Sequence, residues 1–174
     1  MRIVSVNVNG VRAALRKGMS EWMATLEADV ICLQEVRAPH EIVSEAFEPD
    51  WHLAHQASEQ KGRSGVAILS RLPITDVMVA EDAFGPAGAE PTHTGRWIEG
   101  TVESPVGPMR VVSVYVHSGE VGTPKMDDKF AFLDMMTARM AHLTGEFERV
   151  VIMGDINTAH TNNDIKNWKG NLKS

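Results

Sequence analysis

With 174 residues, 43% of them hydrophobic and 23% charged, the chain can bury a core without disulfide or metal staples. A single cysteine excludes an internal disulfide framework, and no apolar run reaches the roughly 20 residues of a bilayer span. The net charge of −6 argues against a protein held to nucleic acid by a general basic surface, though local basic clusters or a bound divalent cation can reverse the field where a phosphate sits.

The N-terminus opens directly on a strand and lacks the basic, apolar and small-residue succession of a secretory signal, so a soluble cytoplasmic protein is expected. Residues 3–6 form a short apolar run that ends in Asn7. Met19, Trp22, Met23 and Leu26 recur at helical spacing and predict an amphipathic helix over 18–27. The run 30–34 holds Cys32, read as a small buried hydrophobe, and ends in Glu35. Pro39 opens a short helix to 46, and 51–55 alternates as a half-buried strand. A turn over 60–65 leads into a strand over 66–69, with another over 74–79. Residues 81–94, rich in glycine and proline and without a period, are expected to be a loop. Strands over 95–102 and 109–116 flank a turn at 105–108, and the second delivers Tyr115. Thr123 and Pro124 have the form of a helix N-cap with proline in first position. Met126, Phe130, Leu133, Met136, Met140 and Leu143 then trace the expected core face of a long helix. A last strand runs into Asp155 and Asn157, and 162–174 is a polar stretch. This order of elements predicts a layered α/β or α+β domain with mixed sheets.

Ligands collect beyond the carboxyl ends of strands in such sheets. If the ends at Asn7, Glu35, Tyr115 and Asp155–Asn157 share one rim, two carboxylates, two amides and a phenol surround one pocket. Oxygen donors of this kind suit Mg²⁺, and the absence of a Cys/His cluster at metal spacing argues against zinc. Glu35 is assigned to the metal and Asp155 to the attacking water, with Asn7 and Asn157 orienting Asp155 or the metal-bound water. Both are two apart on what is expected to be one extended strand, so Asp155 and Asn157 should share a side. Tyr115, the only tyrosine, remains a hydrogen-bond donor at neutral pH and is suited to a phosphate oxygen. Arg37, Lys61, Arg63 and Arg96 together have the distribution of residues that track a phosphodiester backbone. His117 and His160 lie near the rim as further options for phosphate contact; Trp97 is expected in the core.

At these residues the sequence resembles the exonuclease III family of apurinic/apyrimidinic endonucleases, part of the endonuclease/exonuclease/phosphatase superfamily. The matching stretches are Ser-Val-Asn-Val-Asn-Gly-Val-Arg at 5–12, Ile-Cys-Leu-Gln-Glu-Val-Arg at 31–37, Gly-Arg-Ser-Gly-Val-Ala at 62–67 and Gly-Asp-Ile-Asn-Thr-Ala-His at 154–160. Shorter matches are Gly95-Arg96 and Val114-Tyr115-Val116, and the tail at 163–171 narrows the likeness to the DNA-repair branch. The resemblance implies a four-layer α/β sandwich. It also implies Mg²⁺-dependent cleavage of double-stranded DNA on the 5′ side of abasic sites, with Mn²⁺ as a substitute and with 3′-to-5′ exonuclease and 3′-phosphatase activities as further options. Carried over by position, Glu35, Asn7, Asp155 and Asn157 resemble the metal-site residues. Tyr115, Asp155 and Asn157 resemble the catalytic group, and Arg96 a backbone-contacting arginine.

The family's later Asp and its Ser-Asp-His near the C-terminus have no counterpart before Ser174. Residues 1–174 are therefore expected to be one domain of this kind, truncated in its second half. The isolated chain should be weak or inactive, and should self-associate or pair with a complementing C-terminal segment. Two rivals share part of the pattern: a superfamily phosphatase acting on inositol or lipid phosphates, and a non-catalytic nucleic-acid-binding fragment.

Overall fold

Aliphatic runs with no polar alternation belong in the middle of a covered sheet. Strands β2 (Val30–Gln34) and β4 (Val66–Ser70) are of this type and are buried along their whole length. They lie at the centre of a four-stranded sheet ordered β1-β2-β4-β3, with β1 spanning Ile3–Asn7 and β3 spanning His52–Gln56. β1 runs parallel to β2, and β4 runs antiparallel to both β2 and β3. A second sheet is ordered β5-β6-β7-β8, from Ile74–Val79, Trp97–Ser104, Gly107–Tyr115 and Val150–Asp155. Here β7 and β8 are parallel and the other pairs antiparallel. The computed structural model describes residues 1–171; Ser174, where the sequence ends, lies outside the described residues.

Three apolar cores separate four layers. The sheets face each other across Val30, Cys32, Val66, Ile68, Ile98 and Val111. Helices α1 (Val11–Arg16), α2 (Met19–Thr25) and α3 (His40–Phe47) cover the outside of the first sheet through Val11, Met19, Met23, Val43 and Phe47. Helices α4 (Ala80–Phe84) and α5 (Pro124–Glu146) cover the second through Ala80, Phe132, Met136 and Leu143. This is the layered domain with mixed sheets expected from the order of elements, and the four-layer α/β sandwich that the resemblance implies. Burial in the middle core pushes the Cys32 thiol up to about 12, which makes it inert as a nucleophile.

A polar thread crosses that middle core beside the site. Ser5 Oγ donates to Gln34 Oε1 at 3.2 Å, Gln34 Nε2 donates to Ser113 Oγ at 3.1 Å, and Ser113 Oγ donates to the Leu33 carbonyl at 3.0 Å. Because buried polar groups are costly unless paired, this chain fixes how β2 and β7 slide past each other. It therefore fixes Glu35 relative to Tyr115.

Several local expectations are corrected. Residues 81–94 hold most of α4 and a 3₁₀ turn over Gly85–Ala89 rather than a loop, with Phe84 tilted against Trp97 and edge-on to Phe132. Segments this short show no period in sequence. On α5 the buried centre is Phe132, Met136 and Leu143, while Phe130 is 59% exposed. Phe130 lies two residues before Phe132, roughly 200° round the helix, so it cannot share that face. Trp22, placed on the core stripe from sequence, is 41% exposed; only Met19 and Met23 of α2 are buried. Thr123 occupies the N-cap position of α5, but its hydroxyl donates to the Glu120 carbonyl instead of capping. The turn between β6 and β7 is shorter than expected, and α1 was not foreseen. The end of the chain holds a 3₁₀ turn at Asn162–Asp164, capped by Thr161, and helix α6 at Trp168–Asn171.

Candidate active site

The rim is built where two parallel pairs end together. Asn7 pairs with Gln34, which puts Glu35 one step beyond; Tyr115 pairs with Asp155. Asn7 joins the two sheets directly, its Nδ2 donating to Glu35 Oε1 at 2.7 Å and to Asp155 Oδ2 at 2.8 Å. The carboxamide oxygen of Asn7 accepts from the Asn9 backbone N–H at 3.0 Å. Turning the amide over would set its oxygen against two carboxylates and its N–H against another N–H, so the partners fix its orientation. In this arrangement Asn7 holds both carboxylates through Nδ2 while its Oδ1 takes the Asn9 N–H. The other Asp155 oxygen, Oδ1, accepts from the Asn157 N–H at 3.0 Å.

Backbone geometry along the rim is unusual, and costly at Glu35 and Arg37. Asn9, Glu35, Arg37 and Asn157 have φ between 45° and 51°, a region that non-glycine residues rarely enter. The surroundings hold them there: Val36 and Arg37 donate their N–H groups to the carbonyls of Gly65 and Ser64, and Gly10 donates to that of Glu35. Gly65 has φ 95°, where a side chain is strained, and a Cβ there would also press at 3.2 Å on both the Arg37 nitrogen and the Val36 Cβ. Such strain concentrates at sites where position matters more than stability.

Asn157 corrects one premise. β8 ends at Asp155, so Asn157 is not on an extended strand. Its Nδ2 donates to the Val116 carbonyl at 2.8 Å, and its own carbonyl accepts from Lys129 Nζ at 2.7 Å. Asn157 thus ties the end of β8 to β7 and α5 while its N–H aims Asp155.

Tyr115 stands beside Glu35, and burial, with the Glu35 charge next, pushes its phenol up, so it stays a protonated donor. Beyond it opens a cavity of about 520 Å³ lined by Arg37, Arg63, Arg96, Lys125, Tyr115 and His117, with Asp128 the acidic member. The four basic positions read from sequence differ in character. Arg37 Nη2 donates to Glu35 Oε2, so this arginine neutralises the carboxylate from the cavity side. Arg96 donates through Nε to the Thr92 carbonyl at 2.7 Å and lies with its guanidinium 5.0 Å from the Tyr115 ring centre. Burial pulls the Arg96 guanidinium down from its usual value, partly offset by Tyr115. Arg63 and Lys61 are exposed on the 60–65 turn, Arg63 at the cavity wall. Sequence reasoning missed Lys125, Asp128 and Lys129; their spacing at the start of α5, just after Pro124, was the available signal. His117 is 6% exposed and bonded to His93, while His160 is exposed. Trp97 is fully buried, as expected.

Among the described residues no three His, Cys, Asp or Glu side chains cluster as a metal cage. Two carboxylates held close by one amide fit Mg²⁺, which keeps several waters and takes one or two carboxylates plus substrate phosphate oxygens. Glu35 and Asp155 are the residues that would hold it. No helix among those described is long and apolar enough to cross a membrane.

The molecule is thus a four-layer α/β sandwich with paired acids at the ends of its parallel strands and a basic cavity alongside. The chain belongs to the endonuclease/exonuclease/phosphatase family, which it matches over residues 4–174. Its relatives lie in the exonuclease III and AP endonuclease branch. It is 30% identical over 172 residues to the exodeoxyribonuclease of Bacillus subtilis (strain 168), covering 98% of this chain and 64% of that one. It is 28% identical over 176 residues to the DNA-(apurinic or apyrimidinic site) endonuclease of Dictyostelium discoideum, covering 100% of this chain and 46% of that one. The solved 3′-5′ exonuclease of Neisseria meningitidis superposes with a TM-score of 0.81 at 28% identity, over 98% of this chain and 63% of that one. The chain thus spans about two thirds or less of the length of these relatives.

Proposed function

We propose that the chain carries the metal- and phosphate-binding half-site of a Mg²⁺-dependent DNA-repair nuclease that hydrolyses phosphodiesters 5′ to abasic sites, with 3′ ends as a second class of substrate. The observation that carries this reading is the Asn7 amide bridging Glu35 and Asp155 where the two sheets meet. A cation held by Glu35 and Asp155 would supply charge neutralisation at the phosphate and its leaving oxygen.

The remaining work falls to the chain's own side chains. Asp155, aimed by the Asn7 and Asn157 N–H groups, is oriented to take a proton from the attacking water. Tyr115 donates its phenolic hydrogen to a non-bridging phosphate oxygen, where charge builds as the bond to water forms. Arg63, Lys61 and Lys125 line or flank the cavity as contacts for neighbouring phosphates, and Arg96 and Arg37 add positive potential there while engaged with Tyr115 and Glu35. Such a substrate goes with a cytoplasmic protein. Mn²⁺ is an expected substitute for Mg²⁺, having a similar taste for oxygen ligands.

The test is titration of Mn²⁺ and Mg²⁺ against the unmodified chain and Glu35→Ala, followed by parallel assays on abasic duplex and on a phosphoinositide. Loss of metal binding in Glu35→Ala, with any turnover confined to DNA, supports the nuclease. Equal metal binding by both proteins would overturn it, and preferential turnover of the phosphoinositide would move the site to the lipid phosphatases.

A further inference from the structure

Behind Tyr115 and Arg96 lies a pair of buried histidines to which the proposed reaction gives no task. His93 Nδ1 and His117 Nε2 are 3.1 Å apart, with the rings nearly perpendicular at 87°. Each residue is 6% exposed, and both rings pack on Phe132 of α5, with centroids 5.8 and 5.5 Å away. Their places in the chain matter: His93 is three residues before Arg96, and His117 two after Tyr115. Between these ends, Tyr115 N–H donates to the Arg96 carbonyl at 2.8 Å and Arg96 Nη1 donates to the Tyr115 carbonyl at 3.4 Å.

We propose that the His93–His117 bond is a positioning device that clamps segment 90–96 onto segment 115–118, and so holds Arg96 stacked on Tyr115 and the phenol fixed at the cavity mouth. The bond needs one ring nitrogen with a proton and one without, which a pair of neutral imidazoles supplies. Burial keeps it so, aided at His117 by positive neighbours and opposed at His93 by negative ones. Arg96 from the start of β6 and Lys129 from α5 face His117, while Asp128 of α5, Arg96 and Glu90 of the preceding turn face His93. Burial, then Arg96, brings His117 down to about 3, and burial lowers His93 as well. The pair is therefore an uncharged strut at neutral pH and not a cationic phosphate ligand. Packing alone does not account for it, because an aliphatic or phenyl side chain would fill the same space on Phe132 without desolvating ring nitrogens.

The consequence for rate rests on Tyr115 being the phosphate donor, but the placement of Tyr115 is testable without any turnover. As the only tyrosine in the chain, it can be followed alone by NMR of its labelled ring, through the nuclear Overhauser contacts of that ring with the Arg96 side chain. His93→Phe and His117→Phe keep the ring contacts with Phe132 and remove the bond. In both, the Tyr115–Arg96 contacts are expected to weaken at least two-fold, with far-UV circular dichroism and Mn²⁺ affinity unchanged. His93→Gln, whose amide can donate to His117 Nε2, should restore the contacts at least in part. Should the phenylalanine variants fail to fold, His117→Asn, too short to reach His93, is read in the same way. Tyr115–Arg96 contacts that are the same in the folded unbonded variants as in the parent would overturn the proposal and leave the pair as core packing. Failure of metal binding would sink the nuclease reading while leaving this result intact.

Discussion

Tyr115 of β7 stands opposite Asp155 of β8 as the last pair of a parallel register that begins at Arg110 and Val150. Every pair before it is a strand contact; this one delivers a phenol and a carboxylate to the same rim. Removing the hydroxyl alone, in Tyr115→Phe, keeps the ring under the Arg96 guanidinium and leaves Glu35 and Asp155 in place. With a complementing C-terminal segment supplied, turnover of an abasic duplex is expected to fall about 10²–10³-fold, the usual loss for one aligned donor. Divalent-metal affinity should be unchanged. Comparing single-turnover rates with Mn²⁺ titrations on the same samples checks both halves, and a matching loss of metal affinity would return Tyr115 to a merely structural role.

Asn7 makes a prediction of opposite kind. In Asn7→Ala the two carboxylates face each other with no donor between them. Two hydrogen bonds to charged acceptors at a partly exposed rim contribute on the order of 1–2 kcal/mol, which should be missing from urea unfolding in EDTA. A cation takes over the neutralising role of the amide, so Mg²⁺ should raise the unfolding midpoint more in the variant than in the parent. Equal increments in the two proteins would show that metal and amide do not act on the same pair of acids.

How much of this could be read from the sequence follows from which forces are local. The strand runs 30–34 and 66–69 announce their burial, and residues at the ends of such runs must emerge at a sheet rim, so Asn7, Glu35, Tyr115 and Asp155 were legible. Asn157 was misread as extended because asparagine enters the left-handed region at little cost, and only the cross-link to Val116 shows that it has done so. Glu99 gave no signal at all. In sequence it is an acid on a strand, ordinarily a solvated position; its burial is decided by α5, whose Arg139 lies 40 residues away in the chain. The engagement of Arg37 with Glu35, and of Arg96 with Tyr115, is likewise set by three-dimensional neighbours.

Gly154 shows how closely β7 and β8 must approach for the rim to form. A Cβ at this position would lie 1.8 Å from the Val114 carbonyl oxygen, a backbone atom with nowhere to move. Gly154→Ala is expected to cost about 3 kcal/mol or more and to part the strands that align Tyr115 with Asp155. Gly145→Ala is the matched control. It sits in α5 with nothing within 4 Å of its Cβ position, so there the same change should stabilise by about 0.5–1 kcal/mol. Thermal midpoints of the two variants, measured side by side, should move in opposite directions.

A charged cluster is buried beneath α5. Glu99 is fully buried, and its carboxylate accepts from Arg110 Nη2 at 2.7 Å, from Arg139, and from Trp97 Nε1 at 2.9 Å. Burial alone would push this carboxyl up, but the bonds from Arg139 and Arg110 outweigh it and hold Glu99 below the ordinary carboxylate range. A folded value below the unfolded one means that the cluster's contribution is present above about pH 4.3, where the unfolded chain is already ionised. It is lost as pH falls through the lower folded value. Glu99→Gln keeps the shape and removes the charge, leaving Arg110, itself 1% exposed, without its counter-ion. At neutral pH this should cost about 3–5 kcal/mol, the penalty for an uncompensated buried charge. Below about pH 4 the parent begins to lose the same interaction and the variant has nothing to lose, so the gap between their urea midpoints should narrow as acid is added. A gap that stays constant from pH 7 down to the acid transition would mean that Glu99 does not carry its charge in the folded protein.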